Sequence, residues 1–489
     1  MQHVLDLLFG YHEGEPMLFS SGTFWALFLL FLPLYALLST RRNRTMMLAF
    51  VLLFSLFFYY KSSGLFVGLL AATSVVDWGL SQVIARSSSR AMRRACVGVS
   101  LVFSLGILGY FKYANFFMMN LSAIVGSNFQ PLELVLPVGI SFYTFQSVSY
   151  IIDVYKGTIA PTRRWLDYAF FLSFFPALVA GPIVRAKDFL GQIAEHRPAS
   201  RHDLYYGFWL VLVGVVKKAI VADYIAQYND LIFQSPTGYN AFETLMGIIG
   251  YTMQIYCDFS GYSDMAIGLA LVMGFRLNEN FNFPYKSQNL TDFWRRWHIS
   301  LSTWLRDYVY IPLGGNRKGT ARTYVNNMAT MLVGGLWHGA AWKFVFWGGM
   351  HGAGLAVHKA AKPHLGAWSD VWPVRALSWL VTMVFVACLW VFFRADSWGD
   401  SWLVLRQVFV GEWPGMAGVS AFASARMLWL ALMVLIISAH ALPSDWRMRA
   451  GEAFVRSRLW VKFLIFVIIV QAVLQLQGED VAPFIYFQF

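Results

Sequence analysis

Two histidines lie in settings where an imidazole could transfer protons. His338 follows Trp337 inside the apolar run 331–342, and His298 ends the segment 292–298, which reads Asp-Phe-Trp-Arg-Arg-Trp-His. An ionisable ring at membrane depth costs free energy, so it usually faces a cavity or the interior of a helix bundle. Imidazole is also the side chain best suited to exchanging protons near neutral pH. The pair predicts chemistry within a membrane, although His298 considered alone also fits a histidine packed against a backbone carbonyl.

A second polar cluster, residues 254–264, interrupts an apolar stretch with two carboxylates, two serines and two tyrosines. Polar backbone at membrane depth is tolerated only where protein buries it or where it lines a cavity. We therefore expect the helix to break near Gly261. The candidates for contact with substrate, here and beside the two histidines, are Asp258, Ser260, Asp264, Trp337, Arg295 and Arg306. The alternative is that Asp258 and Asp264 pair with arginines or cap a broken helix.

Residues 290–310 follow the periodicity of an amphipathic helix. At 100° per residue, His298 and the apolar side chains share one arc, and charged residues such as Arg295 and Arg306 occupy the other. A helix of this kind, rich in tryptophan, is typical of a membrane interface. The basic glycine turn at 311–318 then indicates either a phosphate-binding loop or a plain cytoplasmic loop.

The composition identifies the class of protein that positions these residues. Of 489 residues, 58% are hydrophobic and 13% charged, and the mean hydropathy is +0.53, whereas a soluble domain carries about 25% charged residues. Apolar blocks of about 15 to 22 residues recur, long enough to cross a hydrocarbon core of about 30 Å as helices. We predict an all-α polytopic membrane protein with about ten to twelve transmembrane helices plus re-entrant or interfacial helices. Residues 1–489 are expected to form a single membrane-embedded domain.

The net charge of +12 comes from basic residues next to helix ends, so it does not indicate a nucleic-acid partner. The positive-inside rule places the loops 86–94, 310–322 and 445–458 in the cytoplasm, and both termini then face outward. Three cysteines dispersed through apolar segments argue against a disulfide framework or a metal site.

Together these elements resemble the membrane-bound O-acyltransferase family, and within it the bacterial subfamily of alginate O-acetylation membrane subunits. The matching stretches are residues 136–150, 254–264, 282–285, 292–316 and 334–341. The likeness runs from about residue 18 to the end of the chain. Its most specific elements are Trp-His-Gly at 337–339 and Arg-Arg-Trp-His at 295–298. The resemblance implies that His338 is the essential intramembrane histidine and His298 the second conserved polar position.

The resemblance also implies an architecture and a set of partners. A helical bundle would surround a central funnel, with the catalytic core at about residues 131–360. A thioester donor such as acetyl-CoA would enter from the cytoplasm as a substrate, with no bound cofactor. The setting would be the lipid of a bacterial inner membrane. The acceptor would be a polysaccharide such as alginate, reached directly or through a periplasmic transferase of the SGNH (serine-hydrolase) type.

The chemistry of acyl transfer suits these residues. A thioester has a good leaving group but needs a deprotonated oxygen to attack it, and His338 can take the hydroxyl proton as general base. His298 could orient the donor or stabilise developing charge. The rival hypothesis is a membrane transporter or polymer-export subunit without acyl-transfer chemistry, which would also carry polar residues in broken helices.

The aromatic C-terminal tail, about residues 478–489, offers one further group. It ends Pro-Phe-Ile-Tyr-Phe-Gln-Phe, outside the membrane by the charge argument. A phenyl ester remains activated, so Tyr486 is a candidate acyl relay to an external transferase. The alternative is an aromatic anchor for the last helix.

Overall fold

The computed structural model describes residues 9–12, 16–40, 43–366, 371–476 and 485. Within those ranges the regular secondary structure is helical and no strand occurs, in agreement with the predicted all-α class. The described residues divide into two compact units. The first contains residues up to Val211 together with Tyr262–Asn278, and the second contains Leu212–Gly261 and the residues from Glu279 onwards.

The first unit is built from short and medium helices around an aromatic core. Its helices are α1 (Gly22–Thr40), α2 (Arg44–Ser63), α3 (Val67–Arg86), α4 (Arg90–Leu108), α5 (Ala114–Val125), α6 (Ile140–Lys156), α7 (Trp165–Ser173), α8 (Phe175–Leu178), α9 (Ala186–Ala194) and most of α10 (Arg201–Val215). Side chains cap several of them: for example, Asn43 accepts from the Met46 N–H at 3.3 Å, and Ser89 from the Met92 N–H at 3.3 Å. These bonds satisfy donors that a helix start leaves open.

A buried carboxylate ties several helices of the first unit together. Asp77 on α3 is fully buried and accepts hydrogen bonds from Ser100 on α4 at 2.6 Å and Tyr168 on α7 at 3.0 Å. Ser147 on α6 donates a further bond. Three hydroxyl donors offset much of the cost of burying a carboxylate. Asp77 therefore serves the packing of this unit.

The second unit holds both predicted histidines. Its helices are α11 (Asp223–Gln234), α12 (Ala241–Val272, whose last turns belong to the first unit), α13 (Leu290–Arg296), α14 (Ile299–Leu305), α15 (Thr320–His338), α16 (Trp342–Leu365), α17 (Trp372–Arg394), α18 (Trp398–Val410), α19 (Met416–Ala425), α20 (Met427–Ala441), α21 (Trp446–Arg456) and α22 (Leu459–Leu476). Two π-helical segments, Val216–Ala222 and Arg306–Tyr310, join α10 to α11 and extend α14.

The expected break at Gly261 is wrong, because α12 runs without interruption from Ala241 to Val272. A Cβ at Gly261 would lie 2.8 Å from the Gly214 carbonyl oxygen and 3.0 Å from the Lys218 nitrogen. The glycine is therefore needed for a close approach of α12 to the chain at 214–218. Helix contact, rather than helix termination, explains its presence.

The continuous amphipathic helix predicted for 290–310 is also wrong. Two short helices, α13 and α14, meet at Trp297 and His298, and a π-helical segment follows. The predicted inward side is nevertheless confirmed, because Trp297, His298 and Leu301 are fully buried. The apolar arc is correct, and the backbone changes direction within it.

Five described helical segments are long and apolar enough to cross a membrane, or six if the bent pair α19–α20 counts as one span. They are Gly22–Thr40, Arg44–Arg86, Arg90–Val125, Trp372–Arg394 and Leu459–Leu476. Other long helices miss this criterion because they carry polar side chains that the protein buries, such as Asp258 on α12 and Asn326 on α15. The chain is thus a multi-pass helical membrane protein. The count of ten to twelve crossings and the central funnel stay predictions.

Candidate active site

His338 is the last residue of α15, where the chain turns towards α16. It is 2% exposed. Three aromatic rings meet its imidazole edge to face, with centroid distances of 4.9 Å to Trp337, 5.0 Å to Trp347 and 5.2 Å to Phe393. This enclosure separates the imidazole from bulk water, so solvent does not compete for its proton.

Two glycines fix how α15 and α16 pack around His338. A Cβ on Gly335 would overlap the Phe344 carbonyl oxygen, and a Cβ on Gly348 would overlap the Met331 carbonyl oxygen. The two helices therefore pack backbone against backbone, as small residues at such spacing permit. This packing holds the end of α15 against α16.

His298 occupies an unusual backbone conformation between α13 and α14. Its φ is +42°, in the left-handed region, which costs a non-glycine residue on the order of 1–3 kcal/mol. Asn280 offsets that cost, because its backbone oxygen accepts from the Ile299 N–H at 2.9 Å and its Oδ1 accepts from the Ser300 N–H at 3.1 Å. The strained turn is thus held from outside, which is typical of functional positions.

The same asparagine defines the protonation of the His298 ring. Asn280 Oδ1 lies 3.2 Å from His298 Nδ1, and the bond from the Ser300 N–H identifies that atom as an oxygen. An amide oxygen only accepts, so Nδ1 carries the proton and Nε2 carries the lone pair. His298 lies outside the candidate membrane spans. Its complete burial lowers its pKa to about 3. His298 is therefore a neutral imidazole that offers an acceptor at Nε2.

Trp337 joins the two predicted histidines. Its ring centroid lies 5.7 Å from that of His298 and 4.9 Å from that of His338. The structure therefore brings His298, Trp337 and His338 into one aromatic cluster. His298 and His338, which are 40 positions apart in sequence, both contact the indole of Trp337.

A third histidine, His351 on α16, extends the cluster. It is fully buried, and its ring lies 4.6 Å from Trp347 and 5.1 Å from Trp294. Because Trp347 also contacts His338, the two imidazoles share that neighbour. We call His298, His338, His351 and the tryptophans between them the histidine cluster.

A cavity of about 650 Å³ opens beside the histidine cluster. Trp294, which contacts His351, is part of its wall. The polar lining includes the two predicted arginines and three basic side chains of α16: Arg295, Arg306, His358, Lys359 and Lys362. The His358 Nδ1 lies 2.9 Å from the Thr291 hydroxyl. We call this space the cation-lined cavity.

The polar cluster on α12 has partners other than the arginines considered from sequence. Asp258 lies 2.7 Å from the Lys218 ammonium, and Lys218 also lies 2.7 Å from Asp223. Asp258 is therefore part of a buried ion network. Ser260 and Asp264 are buried as well, at 1% and 4% exposure, and none of the three residues lines the cation-lined cavity. Tyr486 lies outside the described residues.

Sequence reasoning missed several residues of the site. Lys359 and Lys362 follow Leu355 and His358 at helical spacing, so all four face the same cavity. That spacing is visible in the sequence, but nothing there shows which face of α16 meets a cavity. Asn280 and Lys218 could not be found from local sequence, since their partners lie 18 and 40 residues away.

Comparison with known proteins gives the family. A model of the membrane-bound O-acyltransferase family matches residues 162–394. The chain is 39% identical to "Probable alginate O-acetylase AlgI" of Azotobacter vinelandii, over 97% of this chain and 100% of that protein. The chain belongs to the membrane-bound O-acyltransferase family. It is therefore an O-acyltransferase, and the matched residues include both His298 and His338.

Other relatives show how the family's acceptors and acyl groups vary. The peptidoglycan O-acetyltransferase of Helicobacter pylori is 36% identical, over 80% of this chain and 78% of its own length. The teichoic acid D-alanyltransferase of Bacillus subtilis is 32% identical, over 45% of this chain and 58% of its own length. The named activities share the transfer of an acyl group.

Proposed function

We propose that this acyltransferase moves an acetyl group from cytoplasmic acetyl-CoA across the bacterial inner membrane for O-acetylation of an exopolysaccharide such as alginate. The observation that carries the proposal is the burial of His338 among aromatic rings that connect it, through Trp347 and Trp294, to a cavity lined by cations. A proton acceptor and a site for an anionic donor are the two parts that such a reaction needs.

The cation-lined cavity is the proposed donor site. Coenzyme A is polyanionic, and guanidinium and ammonium groups bind phosphate through charge-assisted hydrogen bonds. A volume of about 650 Å³ falls within the range of about 300–1,000 Å³ for small-molecule sites. Trp294 then stands between the donor and the histidine cluster, where the thioester end would be placed.

His338 is the proposed general base. The acceptor oxygen attacks the thioester carbonyl carbon while its proton moves to His338, and the carbon–sulfur bond breaks to release the thiolate. The proton then passes from His338 to the thiolate, which restores the imidazole. His298 offers a lone pair at Nε2, so we assign it to accepting a hydrogen bond that orients donor or acceptor, instead of donating one to the oxyanion.

The orientation proposed for the chain has the cation-lined cavity facing the cytoplasm. Arg306 and Tyr310 line the cavity at the start of the basic loop 310–322, which the positive-inside rule places on that side. Both termini are proposed to be periplasmic. The acetyl group would leave on Tyr486 of the C-terminal tail and pass to a periplasmic transferase of the serine-hydrolase type, which acetylates the polymer.

Replacement of His338 tests the proposed base. In nanodiscs supplied with radiolabelled acetyl-CoA, His338→Gln is expected to reduce acetyl transfer by about 10²–10⁴-fold, since that is the usual contribution of a general base. His440→Gln is the matched control, because His440 is 6% exposed, contacts Tyr256 and Tyr285, and bonds its own helix at Ile436. Transfer at the wild-type rate by a folded His338→Gln protein would refute the assignment.

A further inference from the structure

We infer that the buried Lys218–Asp258 pair is the binding site for the C-terminal tail, and that Asp258 is a positioning residue for the acyl relay. The inference rests on the proposed role of Tyr486 in the hand-over. The site would take a backbone N–H group from the C-terminal segment of this same chain.

The contact that carries the inference joins the tail to α12. The Ile485 backbone N–H donates to Asp258 Oδ2 at 3.1 Å, and Ile485 is 4% exposed. The other carboxylate oxygen, Asp258 Oδ1, lies 2.7 Å from the Lys218 ammonium. Both oxygens of Asp258 are thus engaged, one by a cation and one by the tail.

Charge in this network explains why the carboxylate needs a further donor. Lys218 is 2% exposed and also lies 2.7 Å from Asp223, so one ammonium serves two carboxylates. A buried ionised carboxylate is costly unless hydrogen bonds satisfy its remaining lone pairs. Most backbone N–H groups of α12 are already bonded within that helix, so the further donor has to come from another segment. The Ile485 N–H supplies it.

The location of the site suits a segment that delivers a group to the histidine cluster. Phe259, the residue after Asp258, packs on the His298 ring at 4.7 Å. The last described helix, α22, packs against the π-helical segment Val216–Ala222 that carries Lys218. Both α22 and Ile485 therefore contact the region that holds Lys218 and Asp258.

Fixing the backbone at Ile485 constrains the next residue by covalent geometry alone. Consecutive Cα atoms lie ~3.8 Å apart, so a bond at Ile485 limits where the Tyr486 phenol can reach. Asp258 does not touch the reacting atoms in this scheme. It acts by holding the tail, which distinguishes it from His338.

Hydrogen–deuterium exchange of the full-length protein tests this assignment, because the proposed donor is a backbone amide. In Asp258→Ala, the C-terminal peptide is expected to exchange about tenfold faster or more, and acetyl on Tyr486 to fall by a similar factor, with acetyl-CoA binding unchanged. Asp258→Asn keeps one carbonyl oxygen for two donors, so it is expected to give a smaller increase in the exchange rate of the C-terminal peptide. Asp77→Asn is the control for loss of a buried carboxylate, and its tail should exchange as in the wild type.

Deletion of residues 478–489 separates positioning from a general effect on folding. If Asp258 acts through the tail, adding Asp258→Ala to the truncated chain changes neither acetyl-CoA binding nor thiol release any further. Wild-type exchange of the tail in folded Asp258→Ala would overturn the inference. A failed relay gives a different pattern: Tyr486→Phe would acetylate polymer normally while the tail still required Asp258 for protection.

Discussion

The histidine cluster and the cation-lined cavity share helix α16 but differ in their physical character. His351 at one part of the helix is fully buried among aromatic rings, whereas Lys359 and Lys362, two to three turns further on, are exposed at the cavity. In the cluster, packing and dehydration set the behaviour of the imidazoles. In the cavity, charge does. Substitutions that alter volume should therefore damage the first, and substitutions that alter charge should damage the second.

Apart from replacement of His338 itself, the largest effect should come from enlarging Gly335. An alanine there must displace the Phe344 carbonyl, because its Cβ would overlap that oxygen. A displacement of about 1 Å in a catalytic group can cost about 10²-fold in rate, so Gly335→Ala should lower kcat by that order with little change in KM. Gly349→Ala is the control, since its Cβ would meet only Leu332 at an ordinary 3.6 Å. Equal kcat values for the two variants would contradict the packing argument.

Removing charge from the cavity should have the opposite effect on the two kinetic constants, changing KM and not kcat. We expect Lys359→Ala combined with Lys362→Ala to raise KM for acetyl-CoA about tenfold and to leave kcat nearly unchanged. Each exposed ion pair contributes about 0–1 kcal/mol, and the effect should weaken in high salt. Arg449→Ala removes an exposed cation that pairs with Asp445 away from the cavity, so it serves as control. A fall in kcat at unchanged KM would place these lysines outside donor binding.

The smallest effect is the contribution of His298 to the pH dependence of stability. Its pKa in the folded protein is about 3, below the ordinary value near 6.5, so the unfolded chain binds more protons between those values. Stability is then lost as pH falls from 6.5, and His298 accounts for about 2 kcal/mol by pH 5. Thermal unfolding in detergent at pH 7.5 and pH 5 measures it. The loss on acidification should be smaller in His298→Asn than in the wild type; an identical loss would argue that His298 is not buried as a neutral ring.

The two regions also differ in how far sequence could predict them. Composition gave the all-α membrane class, and the position of His338 in an apolar run marked it as a candidate. The inward arc of 290–310 was visible from periodicity, but the turn at His298 was not, because Asn280 lies outside that segment and holds it. Gly261 was misjudged since a glycine that breaks a helix and one that admits a neighbouring helix look alike in sequence.

Partners distant in the chain account for the rest. Asp258 was expected to meet substrate, to pair with arginine or to cap a broken helix, but Lys218 is its cation, 40 residues earlier. The sequence indicates that a buried carboxylate needs a partner, but it does not show which residue provides it. Tyr486 was singled out from the aromatic tail alone, and its role stays a prediction.

The most direct test of the account measures donor binding and acetyl transfer separately in two variants. With acetyl-CoA in single-turnover experiments, His338→Gln should bind the donor with wild-type affinity and release almost no thiol. The Lys359→Ala, Lys362→Ala double variant should bind weakly and, once saturated, transfer at close to the wild-type rate. Weak donor binding by His338→Gln with normal transfer at saturation would contradict the account, because His338 would then belong to the donor site and not to the chemistry.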